Sequence, residues 1–192
     1  MNTISIRRRV AVGLGGGALL VATLAGPALA SNTVVQAITG SGLTASVADL
    51  TFASVPYQNA AHDVTGSMVL TADDSRGTSL GWNVTIQTSA FVWVGTANGG
   101  TDIPAANFVL TSAAVPVMVA GQVVNVAADT GPQVPAISPL LSLGSARKVI
   151  SATAAYGAGT YTQALGVTLT IPALSRVGVY TGTLTTTISS TP

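Results

Sequence analysis

Short runs in which apolar and polar residues alternate recur along this chain, and they end in turn-forming residues such as glycine, proline, asparagine or aspartate. A period of two puts every second side chain on one face, which suits a pleated strand with one buried side and does not suit a helix. The clearest run is 81–88, where Trp82, Val84 and Ile86 share one parity and Asn83, Thr85 and Gln87 share the other. Residues 43–52 alternate Leu43, Ala45 and Val47 with Thr44 and Ser46, and 64–72 carry Val64, Met68 and Leu70 on one parity. Further strands are predicted at 91–94 and 108–111. The apolar stretch 113–128 is interrupted by Pro116, Gly121, Gln122 and Asn125, so it predicts two short strands meeting at Ala120-Gly121. Residues 56–59, 73–77 and 96–100 read as turns or loops, and Pro132, Pro135 and Pro139 make 130–139 a loop. Beyond residue 30 no stretch combines a helix cap with sustained helical periodicity. The predicted fold is therefore all-β, an antiparallel β-sandwich or a Greek-key-like barrel.

The last part of the chain repeats itself. Gly159, Tyr161, Thr162, Leu165, Thr168 and Leu169 realign on Gly178, Tyr180, Thr181, Leu184, Thr187 and Ile188. Two copies are too few for a solenoid. They read as two successive strands, lying in one sheet or in two facing sheets.

The first thirty residues differ from the rest. Arg7, Arg8 and Arg9 precede an apolar run over 10–24, then Gly26 and Pro27, then Ala28-Leu29-Ala30. That order of charge, apolar run and small-x-small site is a cleavable secretory signal. The run is shorter than the ~20 residues that span a bilayer, so a stable membrane anchor is not expected. Export by the general route or by a twin-arginine route stays open. With no cysteine in the chain, a lipoprotein anchor, disulfides, thiolate metal sites and thiol nucleophiles are all excluded. Residues 31–192 read as a single domain long enough to bury a core without staples.

Removal of the signal also changes the charge. What remains is Arg76, Arg147, Lys148 and Arg176 against Asp49, Asp63, Asp73, Asp74, Asp102 and Asp129, a net charge near −2. No basic stripe exists to neutralise phosphates, so nucleic acid is not an expected partner. Sparse charge also leaves sheet edges weakly protected against pairing with another chain, which makes self-association through edge strands an alternative role.

Catalytic chemistry finds little support. His62 lies beside Asp63, but no G-x-S-x-G elbow supplies a serine, and a loop histidine without a role is the expectation. Asp73, Asp74 and Ser75 offer oxygens to a cation, yet Arg76 opposes one and the later bidentate acid of a calcium loop is absent. A glycosidase carboxylate pair would have to come from scattered aspartates, without Glu or a helper His. No catalytic residue, metal site or cofactor is therefore expected. Trp82, Phe91 and Trp93 remain as candidate ligand-binding residues, a platform for a sugar ring. Trp82 shares parity with Val84 and Ile86, which favours burial for that ring, whereas Phe91 and Trp93 share a face.

The run Leu70-Thr71-Ala72-Asp73-Asp74-Ser75-Arg76-Gly77, followed by Gly81-Trp82-Asn83-Val84-Thr85, resembles the first signature of WxL-domain surface proteins. There a D-x-R-G-like turn precedes Gly-Trp and a strand. Phe91, the segment Ile103-Pro104-Ala105-Ala106-Asn107-Phe108-Val109-Leu110, and the closing Gly178–Ile188 strand also match that family's pattern. The second Trp-x-Leu triplet falls at Thr186-Thr187-Ile188, with Thr186 in place of Trp. The resemblance implies an exported, non-enzymatic protein that associates non-covalently with the bacterial cell wall through peptidoglycan, or with other surface proteins. No sorting motif or hydrophobic tail closes the sequence, so covalent anchoring is not expected.

Overall fold

A computed structural model describes residues 36–135 and 141–190, and the β domain is its unit from Ile38 onward. The expected export signal over 1–30 lies outside the described residues. In chain order the strands are β1 (Leu43–Val47), β2 (His62–Asp74), β3 (Trp82–Thr88), β4 (Val92–Val94), β5 (Phe108–Ala113), β6 (Val117–Gly121), β7 (Leu141–Ser142), β8 (Arg147–Ala152), β9 (Gly159–Ile171), β10 (Val179–Thr181) and β11 (Leu184–Ser189). A 3-10 turn, Ala105–Asn107, precedes β5.

β2 and β9 form the backbone of the larger sheet. They pair antiparallel along their whole length, from His62 opposite Ile171 to Asp74 opposite Gly159. The sheet runs β1-β2-β9-β5-β7, and β6 follows β5 along the same edge of β9. A three-stranded sheet, β11-β3-β8, faces it, and β4 pairs with β10 in a separate ribbon. The sheets do not join into a closed barrel, so the sandwich alternative is the one that forms. Inward parity fills the space between them: Met68, Leu70 and Ala72 from β2, Tyr161, Leu165 and Val167 from β9, and Trp82, Val84 and Ile86 from β3. Gln163 joins the two layers at their centre. Its Nε2 donates at 3.0 Å to Ala114 O and at 3.0 Å to Val149 O, the latter on β8. A buried amide whose N–H groups tie two sheets fixes their relative position, although its Oε1 meets no partner among the described residues.

Several boundaries differ from the sequence expectation. The strand expected over 43–52 stops at Val47, and residues 48–61 run irregularly. Leu50 and Phe52 turn inward onto Gly66 of β2, where any Cβ would lie 2.9 Å from the Phe52 ring and 3.0 Å from Leu50. The absent side chain thus creates the seat that draws this segment off the sheet edge. Of the two strands expected within 113–128 only β6 exists. Gly121, at φ +107, turns the chain away, and Asn125 and Thr130 close a tight loop instead. The copies of the repeat differ: the first is continuous β9 in the larger sheet, whereas the second breaks at Gly182 and Thr183 into β10 of the ribbon and β11 of the three-stranded sheet.

Candidate functional site

The signature turn is built as a lock between the sheets. Asp74 ends β2 with its side chain almost fully buried. Arg76 meets it in a fork, Nε to Oδ1 at 2.8 Å and Nη2 to Oδ2 at 2.9 Å, and Nη2 also donates to Gly81 O at 2.9 Å. The hydrogen-bonded guanidinium holds the Asp74 carboxyl below its ordinary pKa, against the opposing effect of burial. Asp73 accepts the hydroxyls of Ser75 at 2.5 Å and Thr160 at 2.6 Å. Both carboxylates are therefore engaged in holding the turn. Among the described residues no cluster of potential ligands could hold a metal ion.

Trp82 follows this lock and is 0% exposed. Its indole N–H donates to Gly157 O at 2.9 Å, and its ring tilts against Tyr161 at 6.3 Å. The Tyr161 hydroxyl reaches Gln122 O and Ala158 O, each at 3.0 Å. Burial raises the Tyr161 pKa, so the phenol stays a neutral donor. Strands β3 and β11 lie side by side, so the two triplets of the resemblance are neighbours, with Ile188 directly opposite Val84 and Thr186 opposite Ile86. Thr186, half-buried, points to the same side as Leu184 and Ile188.

At the other end of β3 the sandwich opens into a groove of about 900 Å³. One wall is residues 48–58 of the irregular segment, and the other is the turn after β9 together with β10. The floor is aromatic: Phe108 stands edge-on to Phe91 at 5.5 Å and to Phe52 at 6.2 Å. Tyr57, 49% exposed, rises from one wall, and Tyr180 lines the other. His62 also lines the groove. It is the first residue of β2, paired with Ile171, and not the loop residue expected from sequence. Both its ring nitrogens are shielded from solvent and meet no hydrogen-bond partner.

The three candidate aromatics have different surroundings. Trp82 has no exposed surface and sits at the closed end of β3. Phe91, 9% exposed, borders the groove and is held by paired backbone bonds with Ile103 at 2.8 and 3.0 Å. Trp93 is half-buried in β4 behind the groove wall. Its backbone N–H donates to Asp102 at 2.8 Å, and its indole lies so close to Gly100 and Gly178 that a Cβ on either would strike it. Only Phe91 of the three meets the groove. Tyr57, Tyr180 and His62 join it there, and sequence patterning singled out none of them for binding. An aromatic in a proline-containing loop, Tyr57, was the one local signal of an exposed ring.

A family model of the WxL domain, described as surface cell wall-binding, matches residues 33–192 and so spans every strand described above. Neither curated proteins nor solved structures gave a match.

Proposed function

The chain belongs to the WxL family of surface cell-wall-binding domains, and from that premise we propose that it is a non-catalytic exported protein held non-covalently to a wall polymer by the groove. It is a cell-surface, cell-wall-binding protein. The groove carries this reading. It lies within the ~300–1,000 Å³ range of ligand clefts, and it combines an apolar floor with a few polar groups, as such clefts do. Asp49 is the one carboxylate among the described residues lining it, which leaves no acid–base pair for glycosidic cleavage. The test is to mix the chain from Ser31 onward with purified walls, sediment them, and elute with denaturant. Recovery of intact protein from the pellet supports non-covalent attachment. Recovery in the supernatant alone, or release of soluble wall fragments, would sink the proposal.

A second reading has one observation in its favour. β6 pairs only with β9 among the described residues, and Val117, Met118 and Val119 are all exposed. An uncharged edge of this kind can pair with a second copy. A bulge between Met118 and Ala120 distorts that edge and opposes pairing, which keeps assembly second to wall binding. Light scattering that finds only monomer at high concentration would remove it.

A further inference from the structure

We infer that Asn98 is a modification site: its side-chain amide is lost by cyclisation onto the nitrogen of Gly99, and the carboxylate that results pairs with Arg176 on the groove wall. The geometry of the 96–100 turn carries this, whatever the groove binds.

The reacting groups are free. Asn98 and Gly99 are both exposed and form the tip of the turn that follows β4. The Asn98 side chain and the Gly99 N–H make no hydrogen bond to any described residue. Gly99 sits at φ +70, and space around it is open. Without a Cβ, Gly99 leaves its nitrogen unhindered and its backbone free to rotate into the attacking geometry.

The other asparagines lack this combination. Asn98 is the one asparagine in the sequence that glycine follows. Asn83 is buried and precedes Val84. Asn107 donates through Nδ2 to Thr170 O at 2.8 Å, and Asn125 Oδ1 accepts from Ala128 N at 3.1 Å. Asn59 is exposed, but the Cβ of Ala60 hinders the nitrogen that would attack.

The chemistry balances with water alone. Gly99 N gives up its proton to solvent and bonds to Asn98 Cγ, and Nδ2 leaves as ammonia. Water then opens the succinimide. Cleavage at Cγ gives an aspartyl residue, and cleavage at the main-chain carbonyl gives an isoaspartyl residue. Nothing is oxidised or reduced, and either product adds one negative charge.

That charge arrives beside a cation. A Cβ on Gly99 would lie 3.9 Å from both Nε and Nη2 of Arg176, so the guanidinium rests against this turn. Among the described residues the Arg176 side chain has no carboxylate or hydrogen-bond partner. Arg176 and Asp49 are the oppositely charged residues lining the groove. Pairing Arg176 with the new carboxylate leaves Asp49 unbalanced, so the groove turns acidic as the chain ages.

The test holds the chain from Ser31 onward for days at physiological temperature in mildly alkaline buffer and follows it by intact mass and peptide mapping. Conversion should be about tenfold or more faster at Asn98 than at any other asparagine. It should yield both aspartyl and isoaspartyl products and vanish at this position in Asn98→Gln, where the smaller ring cannot form. No conversion at Asn98, or equal conversion at Asn59, overturns the modification site. The pairing is read separately, by NMR titration of Asn98→Asp with thermal melts showing the variants folded. The introduced carboxyl should titrate below an ordinary aspartate and return upward in Asn98→Asp/Arg176→Gln. Equal titration in the two variants overturns the pairing.

Discussion

Replacing Arg76 with alanine perturbs the structure's most concentrated electrostatic contact. Asp74 is 3% exposed and receives two hydrogen bonds from the guanidinium. In Arg76→Ala the carboxylate stays buried, keeps only the backbone N–H of residue 76 at 3.2 Å, and has lost its countercharge. Breaking a buried pair from one side costs about 3–5 kcal/mol, a large part of the ~5–15 kcal/mol that holds a domain folded. At roughly 2–4 °C per kcal/mol for a domain of this size, the midpoint should drop by roughly 6–20 °C at neutral pH. The sign of the pH dependence follows from the lowered Asp74 pKa. In the native protein the pair's contribution is complete above the unfolded carboxylate pKa and is lost as pH falls through the lower folded value. In the variant, burial without the guanidinium favours the neutral acid. The gap between the two proteins should therefore be widest near neutrality and narrow in acid. Removing Asp74 as well should recover part of the loss, because no buried charge is then stranded. Thermal or urea unfolding across pH measures all three proteins. A deficit below about 1 kcal/mol at neutrality, as for exposed pairs, or one that does not change with pH, would refute the reasoning.

Other substitutions separate packing from binding. Trp82→Phe loses the bond to Gly157 O and leaves a small void, so unfolding should show about 1–3 kcal/mol of destabilisation with wall affinity per folded molecule unchanged; reduced affinity would show that the ring also serves the ligand. Gly66→Val should push Leu50 and Phe52 off β2, and limited proteolysis should then cut within 48–61 faster than in the native chain. If β6 mediates assembly, Val119→Lys should abolish concentration-dependent association seen by light scattering while altering stability by about 0.5 kcal/mol or less.

The strands easiest to read from sequence were those with one buried face. β3 kept the expected parity of Trp82, Val84 and Ile86, and β2 kept that of Met68 and Leu70. β8 was hidden for a physical reason. The pairing with β3 shifts between Val84 and Thr85, and Val149 and Ile150 are consecutive and both buried, so no period of two marks the strand. The signature turn was legible as a motif, but its role as a bidentate lock was not, because Asp74 and Arg76 also read as an ordinary solvated turn. The groove was least visible. Its walls come from 47–58 and from residues between 172 and 184, and its floor from Phe91 and Phe108. No local pattern joins segments so far apart, and His62 gains its shielded position only when β2 pairs with the end of β9.

The most direct measurement is sedimentation of the native chain and Tyr57→Ala with purified walls over a range of protein concentrations. Tyr57 supports no core packing, so any loss reports on the groove. The native chain should pellet saturably, and the variant should bind about tenfold more weakly with an unchanged melting curve. Equal binding by the two would contradict attachment through the groove, and a native chain that stays in the supernatant would contradict wall attachment itself.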